Sequence, residues 1–138
     1  MLLGHCRTII LKDNPEIENR KQIWMALSEF YLDIQLSNED LDRISLIFYN
    51  SGIHLREIKK IDLTEVFPLL QPNLLSVAGV WDGFDRDWLL TKSEKLYNRR
   101  KSIFHRLNCK FWNVFFYWMR RNYWNQIEKR MKIFEDIR

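Results

Sequence analysis

NLLSVAGVWDGFDRDWLLT, residues 73–91, divides the chain into two chemically different parts. It holds two of the four glycines and two of the six tryptophans. Leu74, Leu75, Val77, Ala78, Val80, Trp81, Phe84 and Trp88 are apolar, with Gly79 and Gly83 between them. Surface loops rarely carry two Trp and a Phe so close together, so the stretch reads as a connector buried at a helix junction. Asp85 stands where a helix N-cap is expected, and Asp87 would complement the dipole from the first turn. Two roles fit. One is a ligand clamp with Trp81, Phe84 and Trp88 as walls and Asp82 and Asp85 as polar contacts. The other is an apolar plug, which is what aromatic residues at helix junctions mostly provide.

On either side of this stretch the charge changes sign. Residues 1–91 carry 9 Lys and Arg against 14 Asp and Glu, a net −5, whereas residues 92–138 carry 13 against 4, a net +9. Such segregation implies two faces for different partners or an internal match between the halves. With 4 Gly and 3 Pro the chain is poor in turn residues, which argues against an all-β fold. Two cysteines, Cys6 and Cys109, make no disulfide framework and suit a reducing cytoplasm. The apolar start Met1-Leu2-Leu3 is too short for a signal peptide, and no apolar run approaches the ~18 residues of a spanning helix.

Upstream, residues 1–12 read as an arm. Asn14-Pro15 opens a first helix, cap then first position, and Ile17, Trp24, Leu27, Tyr31 and Ile34 carry it to about Ile34. Ser37 with Asp40 opens a second as a capping box, with Leu41, Ile44, Ile47 and Phe48 as its stripe. A third is expected from His54 to Phe67, ended by Pro68. Downstream, a fourth begins at Asp85. Leu90, Tyr97, Phe104, Phe111 and Trp118 recur every seven residues, shadowed by Leu89, Leu96 and Ile103, and Leu107 and Val114 extend the pattern. This repeat predicts a narrow packed stripe on a long helix, paired within the chain or with a second copy as a homodimer. Asn108 is the expected break into a hairpin, whose second arm carries Trp112, Phe115, Phe116, Met119, Tyr123, Ile127, Met131 and Phe134. The expectation is an all-α, single-domain bundle over 1–138: three short helices in 13–91, and a basic aromatic long helix or hairpin in 92–138.

No serine-hydrolase elbow, phosphate loop, zinc-protease helix, C-x-x-C or dinucleotide fingerprint is present. Asp82, Asp85 and Asp87 lack the spacing and terminal Glu of an EF-hand. His105 and Cys109 stand one helical turn apart, and only His5 and Cys6 could complete a zinc set; adjacent ligands are unusual and nothing links them, so neither metal nor cofactor is expected. The basic residues, Arg99, Arg100, Arg120 and Arg121 among them, alternate with aromatics as in a nucleic-acid or membrane-surface segment. The helical spacing of those aromatics favours a core, with the charges as a solvated face. Acidic residues such as Asp42, Asp62 and Glu65 are expected on solvated faces too.

Two segments resemble a known family. RKQIWMALSEFYLD (residues 20–33) resembles a W-x-A-L-S-x-x-[FY]-L-D hallmark, and NLLSVAG (73–79) with Trp81, Gly83, Phe84, Trp88 and Leu89 resembles a second. Together they are similar to an uncharacterised family of small bacterial helical domains, over roughly residues 18–92. The second hallmark often has Glu where Val80 stands here. The resemblance implies bacterial origin, a soluble helical fold and no activity. The expected function is a non-enzymatic protein-binding module, of which an immunity protein that neutralises a toxin is one form. The alternative is a nucleic-acid binder using the basic C-terminal helices. An enzyme built on Asp82 or Asp85 would need a pocket at 81–88.

Overall fold

The structure, a computed structural model, describes residues 14–75 and 83–137. Helix α1 (Pro15–Ser28) starts as its sequence dictates, with Asn14 Oδ1 accepting from the Glu16 amide at 3.0 Å and Pro15 in the first turn. It ends before the expected Ile34. Ser28 Oγ donates to Met25 O at 2.6 Å, competing with the helix ladder, and the chain tightens into a 3-10 turn, Glu29–Tyr31. That turn buries Phe30 and Tyr31 together and leaves Ile34 44% exposed.

Helix α2 (Asn38–Asn50) opens on the expected reciprocal box: Asp40 N donates to Ser37 Oγ, and Ser37 N donates to Asp40 Oδ2. The segment from α3 (Leu55–Ile61) does not stop at Pro68. It widens into a π turn, Asp62–Val66, where the Phe67 amide donates to Asp62 O, and continues as α4 (Phe67–Leu75) with Pro72 inside. Pro68 falls in the first turn after the widening, where a missing N–H costs least. It cannot donate to Thr64 O four residues back, and His105 Nε2 lies 2.8 Å from that oxygen instead.

The expected long C-terminal helix is three. Helix α5 (Arg86–Asn98) is capped by Asp85, whose Oδ2 accepts from the Trp88 amide at 2.9 Å. It ends where Arg100 donates to Tyr97 O and lies 3.8 Å over the Tyr97 ring. Ser102 then caps α6 (Ile103–Phe116), and a 3-10 turn, Tyr117–Met119, leads into α7 (Arg121–Ile137). The breaks fall at 99–102 and 117–120; Asn108 lies inside α6.

The two breaks rotate the seven-residue stripe out of the core. Tyr97 is buried and Leu90 half-buried, but Phe104 is 86% exposed, Phe111 57% and Trp118 65%. The core is built from α1, α2, α3, the π turn and α7, with Phe67 and Leu70 of α4 and Leu89 and Tyr97 of α5. Trp124 of α7 meets Phe30 edge-on at 5.1 Å and stacks on Phe48 at 6.2 Å. The π turn packs against α1, α5 and α6 and ties the N-terminal helices to the C-terminal ones.

Ser93, on the inner face of α5, is fully buried, and its hydroxyl has no hydrogen-bond partner. An unmade bond in an apolar site costs the group its hydration. Ser93→Ala is therefore expected to leave stability unchanged or raise it by up to about 1 kcal/mol. A thermal melt that moved down by several degrees would show that the hydroxyl is engaged after all.

Candidate functional site

The π turn holds two buried carboxylates. Asp62 accepts from the Tyr31 hydroxyl at 2.6 Å and from Arg120 Nε at 3.2 Å. Arg120 also donates to Asn113 Oδ1 at 2.6 Å and Gln71 Oε1 at 3.4 Å, and its guanidinium faces the Phe67 ring at 4.6 Å. Glu65 Oε1 accepts from Arg20 Nε and Trp24 Nε1, at 3.0 Å each. Burial raises the Asp62 carboxyl above its ordinary value, and Arg120 and Tyr31 oppose it. Burial likewise raises Glu65 against Arg20, and lifts the Tyr31 hydroxyl well above the usual range, helped by the charge of Asp62. Burial works against the Arg120 charge, but Asp62, Tyr31 and Tyr117 together hold the guanidinium above its ordinary value. These donors and acceptors are spent on one another, so the network locks α1, α4, α6 and the start of α7 around the π turn.

The open chemistry lies on α6. At 3.6 residues per turn, His105, Cys109, Asn113 and Phe116 share the face turned to the protein. Arg106 and Lys110 lie on one flank, Asn108 and Trp112 on the other, and Phe104, Leu107, Phe111 and Phe115 form the crest. The crest is exposed, and Ile103, Val114 and Trp118 extend it. Phe111 meets Trp112 at 5.5 Å and Phe115 at 5.3 Å, edge to face, so the rings form one surface. On the Trp112 flank an apolar notch of about 270 Å³ opens towards α4, walled by Phe67, Pro68, Pro72, Cys109, Trp112 and Phe116. The solvent-facing side of α6 is therefore apolar along most of its length.

Among the described residues, those singled out from the sequence lie on different elements. Trp81 and Asp82 lie outside the described residues, as do His5 and Cys6. Phe84 is half-buried and stacks on Trp88, which is itself partly exposed, at 6.4 Å. Asp85 is spent on its cap. Arg99 and Arg100 sit at the far end of α5, about 20 Å along a helix of this length. Arg121 is exposed, but Arg120 is only 1% exposed and is no surface contact. The view of the basic residues as a solvated face fails for Arg120, and that of the acidic ones fails for Asp62 and Glu65. Two ion pairs join the acidic part to the basic one, Asp62–Arg120 and Asp42–Arg130, while Lys59–Glu128 runs the other way. His105 and Cys109 do meet, Sγ to Nε2 3.6 Å, but Nε2 also faces Thr64 O. Among the described residues no three His, Cys, Asp or Glu side chains gather as a metal site, and no helix is long and apolar enough to cross a membrane. Burial pushes the Cys109 thiol up to about 11.

No curated protein and no solved structure matches the chain. A family model described as a domain of unknown function (DUF7079) matches residues 18–130, past the boundary near 92 and through most of α7. The match spans α2 to α6 entirely and most of α1, so the aromatic crest lies inside the matched region, and the chain belongs to the DUF7079 family of domains of unknown function.

Proposed function

We propose that this protein is a non-enzymatic protein-binding module whose docking surface is the crest of α6 with the notch beside it. The observation that carries the reading is the exposure of Phe104, Phe111 and Phe115 along one face of α6, with Trp118 exposed in the turn that follows. Aromatic side chains dominate the energetics of protein interfaces, and an adjoining pocket gives a partner a place to anchor. In its most specific form the partner is a toxin that the protein neutralises in the bacterial cytoplasm, a version supported by small size and segregated charge.

The test compares the tagged protein with its Phe104→Glu/Trp118→Glu variant in pull-downs from the source organism, with and without nuclease. A stoichiometric protein that survives nuclease with the wild type and disappears with the variant is the expected result. Equal capture by both would remove the crest from the interface. A second reading, nucleic-acid binding, gains from the same observation, because exposed rings beside Arg99, Lys101 and Arg106 are free to stack on bases. It predicts partners that vanish with nuclease and binding that weakens steeply with salt.

A further inference from the structure

We infer that the partner docking on α6 is acidic: an amphipathic segment that lays apolar side chains along the crest and seats carboxylates in a basic cleft on its flank. This inference rests on the protein-binding reading and adds the chemistry of the partner. The cleft, about 360 Å³, opens between α3, the π turn and α6 and is lined by Arg20, Lys60, Arg100, Arg106 and Lys110 with two carboxylates, Glu57 and Glu65. Three of the five cations are already engaged. Arg20 pairs with Glu16 and Glu65, Lys60 pairs with Glu57, and Arg100 lies on Tyr97. Arg106 and Lys110 are exposed, stand one turn apart on α6, and pair with no carboxylate among the described residues. The cleft therefore presents two uncompensated cations at the edge of the apolar crest.

Charge decides among the occupants. Between Glu94 and Glu128 the sequence has no acidic residue at all. Two copies packed through α6 would bring Arg106 and Lys110 near their own kind with no carboxylate on that helix to answer them, and like-charge juxtaposition opposes association. An acidic segment meets the same cations favourably and is steered to them. Shape and composition favour it over the other anionic surfaces. A bilayer leaves concave features such as the notch and the cleft unfilled. A phosphodiester chain stacks on rings but has nothing to offer Ile103, Leu107 and Val114, the aliphatic part of the exposed surface.

A displayed random-peptide library selected against the full chain tests this without knowing the partner. The expected result is enrichment of peptides with Asp or Glu flanking Leu, Phe or Trp at helical spacing. An enriched peptide should then lose about tenfold or more in affinity on Arg106→Glu/Lys110→Glu, lose binding on Phe111→Glu, and be unaffected by Lys129→Glu on α7. Apolar peptides without charge bias, lost on Phe111→Glu and indifferent to Arg106→Glu/Lys110→Glu, would overturn the acidic partner and leave the docking face standing. No enrichment over the Phe111→Glu protein would overturn both, as would wild-type protein that binds phosphatidylglycerol vesicles or a single-stranded oligonucleotide in place of peptides.

Discussion

Arg120→Ala is expected to cost about 3–5 kcal/mol of folding free energy, read from urea denaturation at pH 7. The side chain is 1% exposed and holds Asp62, Asn113 and Gln71 at once. Its removal leaves the Asp62 carboxylate buried with neutral donors alone, the Tyr31 hydroxyl and Trp124, and an uncompensated buried charge is the most expensive of the ordinary mutational defects. The deficit should depend on pH with a definite sign. Burial already raises the Asp62 carboxyl, and losing the guanidinium raises it further. A carboxyl raised in the folded state stabilises that state when protonated, and the benefit is lost as pH rises through the folded value. The variant should therefore recover part of its deficit at about pH 4, relative to wild type. Asp62→Asn keeps an acceptor for Tyr31 and removes the charge. Combined with Arg120→Met, it should cost less than the sum of the two single changes. Strict additivity in that cycle would mean that the two groups do not act as a pair.

Much of the fold was readable because helix starts are written locally. Asn14-Pro15, Ser37 with Asp40, and Asp85 each satisfy amides within a few residues, and each caps as expected. Helix ends and faces were less readable, since they depend on residues far along the chain. α1 stops early to place Tyr31 against Asp62. The helix runs through Pro68 because a π turn precedes it and His105 faces the freed carbonyl. A seven-residue repeat says which residues share a face and nothing of what that face meets. The turn at 99–102, signalled by Ser102 ahead of Ile103, rotates the repeat from core to solvent between Tyr97 and Phe104. The buried network carried a signal too. Asp62 follows Ile58 by four residues, Glu65 follows Ile61 by four, and Arg120 precedes Trp124, Ile127 and Met131 on a single helical stripe. Charged residues on an apolar stripe are paired groups inside the protein, which is why sorting them by charge alone put them on the surface. The Trp81–Asp82 part of the expected clamp lies outside the described residues, while Gly83, Phe84 and Arg86 border a cleft of about 460 Å³ against α1 and α2.

Two tryptophans six residues apart should respond in opposite ways. Trp124→Ala is expected to destabilise the fold by about 3–5 kcal/mol, because Trp124 fills the space between Phe30 and Phe48 and its removal opens a cavity that those two rings cannot close. Trp118→Ala should fall within about 0.5 kcal/mol of wild type, because that ring stands 65% exposed at the end of the α6 crest. Had the seven-residue stripe been packed, Trp118 would be a core residue and the two costs would be alike. Matched denaturation curves for the two variants therefore measure directly which aromatic residues hold the fold and which are left for a partner. A large loss in Trp118→Ala would return the stripe to the core and remove the surface on which the binding reading stands. A negligible loss, with partner capture abolished, would separate binding from folding at a single side chain. It would also explain why a protein with a sufficient core keeps another row of aromatic side chains in water, where each exposed ring carries an aggregation risk that only an occupied interface relieves.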